Sequence, residues 1–532
     1  MSLINRFAVL ALVALFGTAP GDRPPGPTRG PSGSSAAARR GGADLRRFVL
    51  FGWVSPPASI TTDARVAEMA GVGLNLAVTA WNDSGRTADN LARLDLAAAH
   101  GMRCLVWDER FERFDSLEVD SPEGGALLDS IVADYRGRPG FLGYSLGDEP
   151  PRERWPVLEQ LFPALVERDP ECLPWNNLLG RMGGFSDRDA WLRYTRAYLS
   201  AMRPRVLCND HYEFRTVGDR GQFIENAAGL AALAREAGIP FWAIVLLTQH
   251  ADYRAVTPGE LSWQVAMLLA YGAHGIGYFT YWTPAPDTVW NWHPAVITYD
   301  GQRTAWYPVL ADLNRRVRPV GETLASLTWL ATSHAGWTPV GGAPFAPDGL
   351  IAAVEGRAAL GHFVDAFGTR HVLVVNSDSL ASQRVTLLVR HPHGLWRLGE
   401  SVGDWKPVES QPSPEGLRVT LDLGPGGFTL LRFGGALWPL GAGSGPRLGV
   451  APRPARGEAR LSVSALDAGG RVEILDATGR RVRSWRPAGA EASLVWRGER
   501  DFGGFAPPGL YFLRAEDSGG ISVARVEWLG RK

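Results

Sequence analysis

The chain has 532 residues, a length that predicts roughly two or three domains rather than one. Lys and Arg together number 55, as do Asp and Glu, so the formal net charge is zero. The chain therefore has no positive field with which to hold nucleic acid or an anionic membrane, and nucleic acid is not an expected partner.

The N-terminus has the layout of a signal peptide. Arg6 precedes an apolar run over residues 7–16, and small or helix-breaking residues follow. The run is far shorter than the roughly 20 residues of a spanning helix. We therefore expect a signal peptide over residues 1–21, no transmembrane segment, and a secreted or cell-surface location. Residues 22–45, rich in Pro, Gly, Ser and Arg, are predicted to form a disordered linker.

Eight apolar segments alternate with helix-like stretches over residues 46–332. The predicted strands are residues 48–53, 74–80, 103–107, 141–146, 172–175, 206–208, 241–247 and 275–282. Strands that alternate with helices through short links pair in parallel, so eight such units predict a (β/α)8 TIM barrel. A helix over residues 258–271 begins with Pro258, which is favoured in the first turn. The three cysteines lie on predicted strands, where buried core is the simplest expectation and a disulfide the alternative: Cys104, Cys172 and Cys208.

The pattern changes after the barrel to short alternating strands. The predicted strands include residues 359–364, 371–376, 384–389, 418–423 and 428–433. They predict a small antiparallel β-sandwich over residues 333–436. A Gly- and Pro-rich linker follows over residues 437–457, and a last all-β module covers residues 458–532. The expected fold class is thus α/β, a barrel followed by two β-sandwiches.

Aromatic, acidic and amide residues come at the ends of the predicted barrel strands. They are Trp53, Trp81, Asn82, Trp107, Asp108, Asp148, Glu149, Asn176, Asp210, His211, Gln249, Tyr281 and Trp282. Because the C-terminal ends of barrel strands share one face, we expect these residues to line one site. Indole rings stack on sugars while acids and amides bond to their hydroxyls, so this composition favours a carbohydrate as the substrate.

The sharpest motif is residues 143–150, Gly-Tyr-Ser-Leu-Gly-Asp-Glu-Pro, in which a strand delivers two adjacent carboxylates. Here the sequence resembles the (β/α)8 glycoside hydrolases of clan A, whose fourth strand ends in Asn-Glu-Pro. The resemblance implies an O-glycosyl hydrolase with Glu149 as the proton donor and Asp148 in place of the Asn that orients a substrate hydroxyl. Alternatively, both carboxylates cap the following helix or pair with Arg152 and Arg154.

A glycosidase needs a second carboxylate as nucleophile or base. Clan-A enzymes place a nucleophilic Glu at the end of strand seven, where this chain has Gln249. We expect Asp210 to act as the base of an inverting scheme. Asp108 and Glu109 are alternatives, as is an inactive site or a structural hydrogen-bond network around Asp210.

Residues 253–260 and 271–282 resemble the last strands of poorly characterised glycosidase-like barrels, which end in an aromatic floor. The resemblance implies Trp282 as a sugar platform, extended by Tyr281, Trp290 and Trp292. The alternative for each barrel Trp is a place in the core.

No metal or other cofactor is expected. The His spacing matches no helix-face metal motif, Cys is too sparse for a structural zinc, and esterase, NTPase and dinucleotide motifs are missing from the sequence. A metal-dependent hydrolase using Asp210, His211 and His250 is the alternative.

The last module carries Val472 to Arg480, Trp496 and Gly509 to Tyr511. It resembles the immunoglobulin-like module of flagellar hook-capping proteins and of C-terminal sorting domains, which implies secretion or surface-anchoring machinery as a partner. A plain spacer sandwich is the alternative. The sequence therefore predicts an exported bacterial glycoside hydrolase acting on a poly- or oligosaccharide. The rival prediction is a non-catalytic carbohydrate-binding or adhesion protein.

Overall fold

The computed structural model describes Leu45 and residues 47–79, 85–365, 368–390, 395–433 and, with short gaps, 447–531. The predicted signal peptide and two predicted site residues, Trp81 and Asn82, lie outside the described residues. The chain forms two compact units, one running to Glu322 together with 339–342, the other comprising 323–338 and 343–532. Within the described part of the chain, no helix has the length and apolar character needed to cross a membrane.

The first unit is a closed barrel of eight strands in sequence order. The strands are β1 (Val49–Trp53), β2 (Leu76–Val78), β3 (Arg103–Val106), β4 (Phe141–Asp148), β5 (Leu173–Leu179), β6 (Leu207–Asp210), β7 (Phe241–Leu246) and β8 (Gly275–Phe279). Parallel pairing of β1 with β8, from Val49 opposite Gly275 to Trp53 opposite Phe279, closes the barrel. The predicted barrel is confirmed, and all eight strands point their C-terminal ends at one face.

A helix follows each strand. The helices are α1 (Asp63–Gly71), α2 (Thr87–Ala99), α3 (Pro122–Tyr135), α4 (Trp155–Arg168), α5 (Arg188–Met202), α6 (Phe223–Ala237), α7 (Pro258–Ala270) and α8 (Trp306–Leu324). Local sequence starts several of them. The Thr257 hydroxyl accepts from the Glu260 backbone N–H at 3.1 Å, and the Glu260 carboxylate accepts from the Thr257 N–H at 2.7 Å. This capping box satisfies two otherwise unpaired donors, and the helix predicted from Pro258 is confirmed.

Aromatic side chains fill the barrel interior. The Phe51 ring lies 6.3 Å from Trp175 and 6.0 Å from Trp242, centroid to centroid, and all three are buried. Gly277 on β8 provides the space, because a Cβ at that position would lie 2.5 Å from the Phe51 ring. Close packing of this kind fixes the strand ends that carry the site. The cysteines are free and buried, which confirms their predicted core role: Cys104, Cys172 and Cys208.

The second unit holds two β-sandwiches. The strands of the first are β9 (Thr328–Ala335), β10 (Ala343–Pro344), β11 (Ile351–Glu355), β12 (Ala358–Val364), β13 (Arg370–Asn376), β14 (Gln383–Val389), β15 (Leu395–Leu398), β16 (Trp405–Pro407), β17 (Gln411–Ser413), β18 (Gly416–Leu423) and β19 (Phe428–Phe433). They form sheets ordered β10-β9-β12-β13-β19-β15-β16 and β11-β14-β18-β17. Leu360 and Val374 of one sheet share a core with Leu387 and Val419 of the other.

The strands of the second sandwich are β20 (Arg447–Ala451), β21 (Ala459–Ser464), β22 (Arg471–Asp476), β23 (Arg481–Trp485), β24 (Glu491–Trp496), β25 (Gly509–Asp517) and β26 (Gly520–Trp528). Its sheets are ordered β20-β21-β24 and β23-β22-β25-β26, and Trp496 and Ile474 lie in their common core. The predicted barrel followed by antiparallel sandwiches is confirmed. One boundary differs, because β20 falls within the residues predicted as a linker, 437–457, and pairs with β21.

The replacement Gly277→Ala tests the packing of the barrel interior. We expect it to lower the free energy of unfolding by about 1–3 kcal/mol, because the added methyl group overpacks the core against Phe51. Urea denaturation measures the change. The matched control is Gly125→Ala on α3, where the nearest atom to a new Cβ is 3.7 Å away on the flexible Arg168 side chain. There the better helix propensity of Ala predicts a gain of up to about 1 kcal/mol, and a loss at Gly277 no larger than the control's change would contradict the prediction.

Candidate active site

The end of β4 leaves regular strand geometry. A bulge interrupts its register with β5 between Ser145 and Asp148. Glu149 has φ 43°, a left-handed value that is uncommon for a residue other than glycine. Its N–H donates to the Asn177 carbonyl at 2.9 Å, which ties this conformation to β5. Bulges and strained residues of this kind concentrate at functional sites, where they redirect side chains.

Three carboxyl groups meet around the side chain of Asn177. Its amide nitrogen donates to Asp148 Oδ1 at 2.9 Å and to Asp210 Oδ1 at 3.1 Å. Asp210 also accepts hydrogen bonds from the side chains of Glu149 and Tyr212. We call Asp148, Glu149 and Asp210 the carboxyl cluster. It assembles because three adjacent parallel strands end at the same edge, with Asp148 opposite Asn177 and Asp210 opposite Leu179.

The three carboxyls differ in their access to solvent. Asp148 is exposed and Glu149 is partly buried, whereas Asp210 exposes 5 % of its surface. Asn177, which joins them, exposes 2 %. The cluster therefore has one buried member, Asp210, and two members that solvent reaches.

Burial raises the pKa of every member, and neighbouring carboxyls raise it further for Asp148 and Glu149. The pKa of Asp148 rises to about 7 because the surrounding protein desolvates it and Asp210 lies close, while donation from Asn177 opposes the shift. Desolvation, Asp210 and Asp148 hold the pKa of Glu149 well above its usual range, and Glu149 donates its own proton to Asp210. Desolvation also raises the pKa of Asp210, and the hydrogen bonds that Asp210 accepts lower it. Like charges this close oppose joint ionisation, so the cluster holds a proton more firmly than separate carboxyls would.

An aromatic cluster adjoins these carboxyls. Its members come from the loops after β6, β7 and β8 and from the end of β8: Tyr212, His250, Tyr253, Phe279, Trp290 and Trp292. The Tyr212 ring lies 5.1 Å from Phe279, His250 stacks on Trp292 at 4.8 Å, and Trp292 stacks on Trp290 at 5.8 Å. Trp290 and Trp292 are partly exposed. The aromatic cluster thus connects the carboxyls, through Tyr212, with two indole rings that reach solvent.

Three of the other predicted aromatic residues lie in the interior. Trp53 exposes 2 %, and Tyr281 and Trp282 expose none of their surface. Arg65 covers the Trp282 ring with its guanidinium 5.3 Å from the centroid. A sugar platform needs an open ring face, which Trp282 lacks in this structure. Trp107 is partly exposed.

The side chains of two predicted polar residues form hydrogen bonds with other groups of the protein. Asp108 has no exposed surface and accepts from Arg110 Nε at 2.8 Å, from Arg110 Nη2 at 2.7 Å and from the Tyr135 hydroxyl at 2.6 Å. Asn176 donates to the Gly147 carbonyl at 3.1 Å and accepts from Tyr198 at 3.2 Å. Neither side chain is available to a ligand. The carboxylate of Glu109 is exposed.

The predicted histidine and glutamine have different settings. His211 exposes 2 % and lies 3.6 Å from Glu213, and burial lowers its pKa. Gln249, after β7, is partly exposed. Among the described residues, no group of three or more His, Cys, Asp or Glu has the arrangement of a metal site.

Sequence reasoning missed Asn177 and Tyr212, which hold the cluster together. Asn176 and Asn177 are adjacent on one strand, so their side chains point to opposite faces. Only the register with β4, which sets Asn177 opposite Asp148, decides which of the two reaches the carboxyls. Tyr212 follows Asp210 by two residues, a spacing that indicates the same side of the chain.

The chain is only distantly similar to known proteins. No model of a known protein family matches the chain, and no curated protein does. The β-galactosidase from Bacillus circulans sp. alkalophilus is 9 % identical, with a TM-score of 0.48 over 74 % of this chain and 100 % of that one. A glycoside hydrolase family 5 protein from Bacteroides vulgatus is 12 % identical, with a TM-score of 0.45 over 72 % and 88 %.

A third solved structure, the β-galactosidase from the psychrophilic Marinomonas ef1, is 11 % identical, with a TM-score of 0.42 over 54 % of this chain and 63 % of that one. A β-galactosidase from Rahnella sp. R3 is matched over 58 % of its length. The chain thus spans about three fifths of these two proteins.

Asp148→Asn tests the raised pKa of the carboxyl cluster. A carboxyl whose pKa is higher in the folded state destabilises the fold once pH rises above its unfolded value of about 4. Removing the charge should therefore stabilise the protein at pH 8 by about 1–2 kcal/mol, a figure reduced for the solvent that reaches this side chain. At pH 3.5 the group is mostly protonated in both states, and most of the gain should be lost.

Urea denaturation at both pH values measures this difference. Asp129→Asn, which removes an exposed carboxylate on α3 that pairs with Arg168 at 2.7 Å, is the matched control. An equal change of stability at pH 3.5 and pH 8 for Asp148→Asn would show that its pKa is not raised.

Proposed function

We propose that the chain is a glycoside hydrolase in which Glu149 is the general acid. The observation that carries this proposal is the hydrogen-bonded carboxyl cluster at the C-terminal face of the barrel. Glycosidic bond cleavage needs a carboxylic acid that is still protonated near neutral pH, because the leaving oxygen must receive a proton. Glu149 meets that need through its raised pKa and its access to solvent.

The neighbours of Glu149 have separate roles in this proposal. Asp210 accepts the Glu149 proton in a hydrogen bond and repels its charged form. Asn177 and Tyr212 are positioning residues, because each donates to Asp210 and fixes where that carboxylate lies. Asp148, exposed beside Glu149, is the carboxylate placed to contact substrate. The resemblance of residues 143–150 to the fourth-strand motif of clan-A glycoside hydrolases supports the same assignment for Glu149.

The proposed substrate is a poly- or oligosaccharide. Its support is the aromatic cluster, in which the partly exposed rings of Trp290 and Trp292 connect with the carboxyls through other aromatic side chains. Flat aromatic faces bind the apolar face of a sugar ring. We also propose export of the chain and surface delivery through its last module, on the signal-peptide pattern and the hook-capping resemblance described above.

Glu149→Gln should abolish hydrolysis while sugar binding persists. General acid catalysis contributes about 10²–10⁴-fold, so we expect turnover of natural substrates to fall by at least about 100-fold. Reducing sugar released from a panel of plant, algal and bacterial polysaccharides measures it. The activity of the wild-type protein should fall as pH rises through the apparent pKa of Glu149, since only its protonated form acts.

Asp129→Asn serves again as the control and should retain full activity. Unchanged turnover in Glu149→Gln would contradict the assignment of the acid. Binding of a polysaccharide without cleavage by the wild-type protein would instead favour a non-catalytic carbohydrate-binding protein.

Trp292→Ala tests the aromatic cluster as a sugar-binding surface. Loss of one stacking face should weaken binding about tenfold, measured by calorimetry with the polysaccharide found above in the Glu149→Gln background. The matched control is Trp337→Ala, which removes a 39 % exposed indole from the second unit and should leave the affinity unchanged. Equal affinities in both variants would exclude Trp292 from the binding surface.

A further inference from the structure

The end of β7 supplies no carboxylate to the site. β7 is followed by Thr248, Gln249 and His250. Thr248 exposes 1 % and His250 exposes 2 %, and the partly exposed side chain between them is an amide. The protein nucleophile of a retaining scheme is a carboxylate, so it has to come from another strand.

Buried carboxylates on neighbouring strands cannot fill that role. Asp210 is buried and accepts from Asn177, Glu149 and Tyr212. Asp108 has no exposed surface and is held by Arg110 and Tyr135. Glu213 is also buried, and it accepts the consecutive backbone N–H groups of residues 221–223. Each is already fully engaged by protein donors.

The separation of Glu149 and Asp210 is too short for a hydrolytic pair. Retaining pairs lie about 5–5.5 Å apart and inverting pairs about 6.5–9.5 Å apart, the larger gap leaving room for water. Glu149 and Asp210 lie within hydrogen-bonding reach of each other, and Asp210 raises the pKa of Glu149. That spacing is shorter than either kind of hydrolytic pair requires.

Asp148 has free acceptor capacity directly beside the acid. Its Oδ1 accepts from Asn177, and the described residues place no donor on Oδ2. The side chain is exposed, so a substrate N–H can reach it. A bound N–H would replace the solvent that now contacts this carboxylate.

We propose that the substrate is a glycoside of a 2-acetamido-2-deoxy sugar, that its amide oxygen is the nucleophile, and that Asp148 accepts the amide N–H while Glu149 protonates the leaving oxygen. The inference rests on the proposed glycosidase function and deepens it. A nucleophile carried by the substrate removes the need for a carboxylate at the end of β7. The acid and the amide acceptor then lie on consecutive residues of one strand end, where both carboxyls lie close to Asp210.

The chemistry balances in two steps. The amide oxygen bonds to C1 as the C1–leaving-oxygen bond breaks; the leaving oxygen keeps that electron pair and takes the Glu149 proton, and the amide proton passes to Asp148, which leaves a neutral oxazoline. A water molecule then attacks C1 and gives one proton to Glu149. The bond from C1 to the amide oxygen breaks, its electron pair restores the amide, and Asp148 returns the proton. One water is consumed and the configuration at C1 is retained.

The pKa of Asp148, about 7, suits this exchange. A carboxylate with that pKa is ionised enough near neutral pH to accept the N–H. It also binds the amide proton more firmly than an ordinary aspartate does.

Paired aryl β-glycosides test the proposal on the wild-type protein. The pairs have gluco and galacto configuration and differ only at C2, with acetamido or hydroxyl, on mono- and disaccharides. We expect the acetamido member to react at least about 100-fold faster, since its nucleophile is already in place. Successive fluorination of the acetyl group should lower kcat stepwise, because fluorine withdraws electrons from the attacking oxygen.

Two further outcomes separate this inference from the proposed function. Equal or faster cleavage of the 2-hydroxy glycosides by the wild-type protein, or a rate insensitive to fluorine, would overturn the inference and leave the glycosidase in place. No cleavage of any glycoside or polysaccharide would overturn both. These measurements need no variant, so they do not depend on a mutant folding.

A pair of variants separates the two carboxylates. Glu149→Gln should lose at least about 100-fold on poor leaving groups but much less on dinitrophenyl glycosides, which need no proton. Asp148→Asn should lose activity on acetamido glycosides whatever the leaving group, and Asp129→Asn should lose none. Equal dependence on the leaving group in the two active-site variants would contradict the role given to Asp148.

Discussion

The arrangement of the barrel face depends on the hydrogen bonds that Asn177 donates to two carboxyls of like charge. Its amide reaches Asp148 and Asp210 at 2.9 and 3.1 Å. Asp148 and Asp210 belong to strands on either side of β5, and without a donor between them their mutual repulsion would oppose the closure of these strand ends. Because an amide carries no charge, it joins the two groups while leaving their raised pKa values largely intact. A Lys or Arg at position 177 would lower the pKa values of the carboxyls, and Glu149 would lose its proton more readily.

The barrel supplies the rigidity that this arrangement needs. A left-handed residue such as Glu149 costs of order 1–3 kcal/mol and persists only where its surroundings fix it. Here they include the hydrogen bond from the Glu149 N–H to β5 and the packed interior of Phe51, Trp175 and Trp242. Two features at the end of β4 therefore lower the stability of the fold: the strained backbone of Glu149 and the crowding of the carboxyls. Destabilising features of this kind are typical of functional sites.

The sequence predicts those features whose signal is local and repeated. Eight alternating segments determine the barrel, and the Gly147 to Pro150 motif locates the acidic strand end, because both depend on neighbouring residues. The sequence does not predict which side chains turn toward the site and which turn toward the core. Trp282 and Trp292 look alike in the sequence, yet one lies under Arg65 and the other reaches solvent. Asn176 and Asn177 differ only in register, and Asp108 faces away from the site because Arg110, two residues later, captures it. Short strands such as β16 and β17 have too few residues for an alternating pattern to stand out.

The charges around the carboxyl cluster also have a chemical consequence. No cation is among the groups that shift the pKa of Asp148, Glu149 or Asp210, and the described side chains that donate to Asp148 and Asp210 are otherwise neutral. Burial lowers the pKa of both His211, beside Asp210, and His250 of the aromatic cluster, the latter to about 4. Negative charge at this strand end is therefore relieved by a proton or by a positively charged ligand. Glycosidic bond cleavage creates positive charge at C1 in the transition state, so a site without a counter-ion binds that state more tightly than the neutral substrate, which is the condition for catalysis.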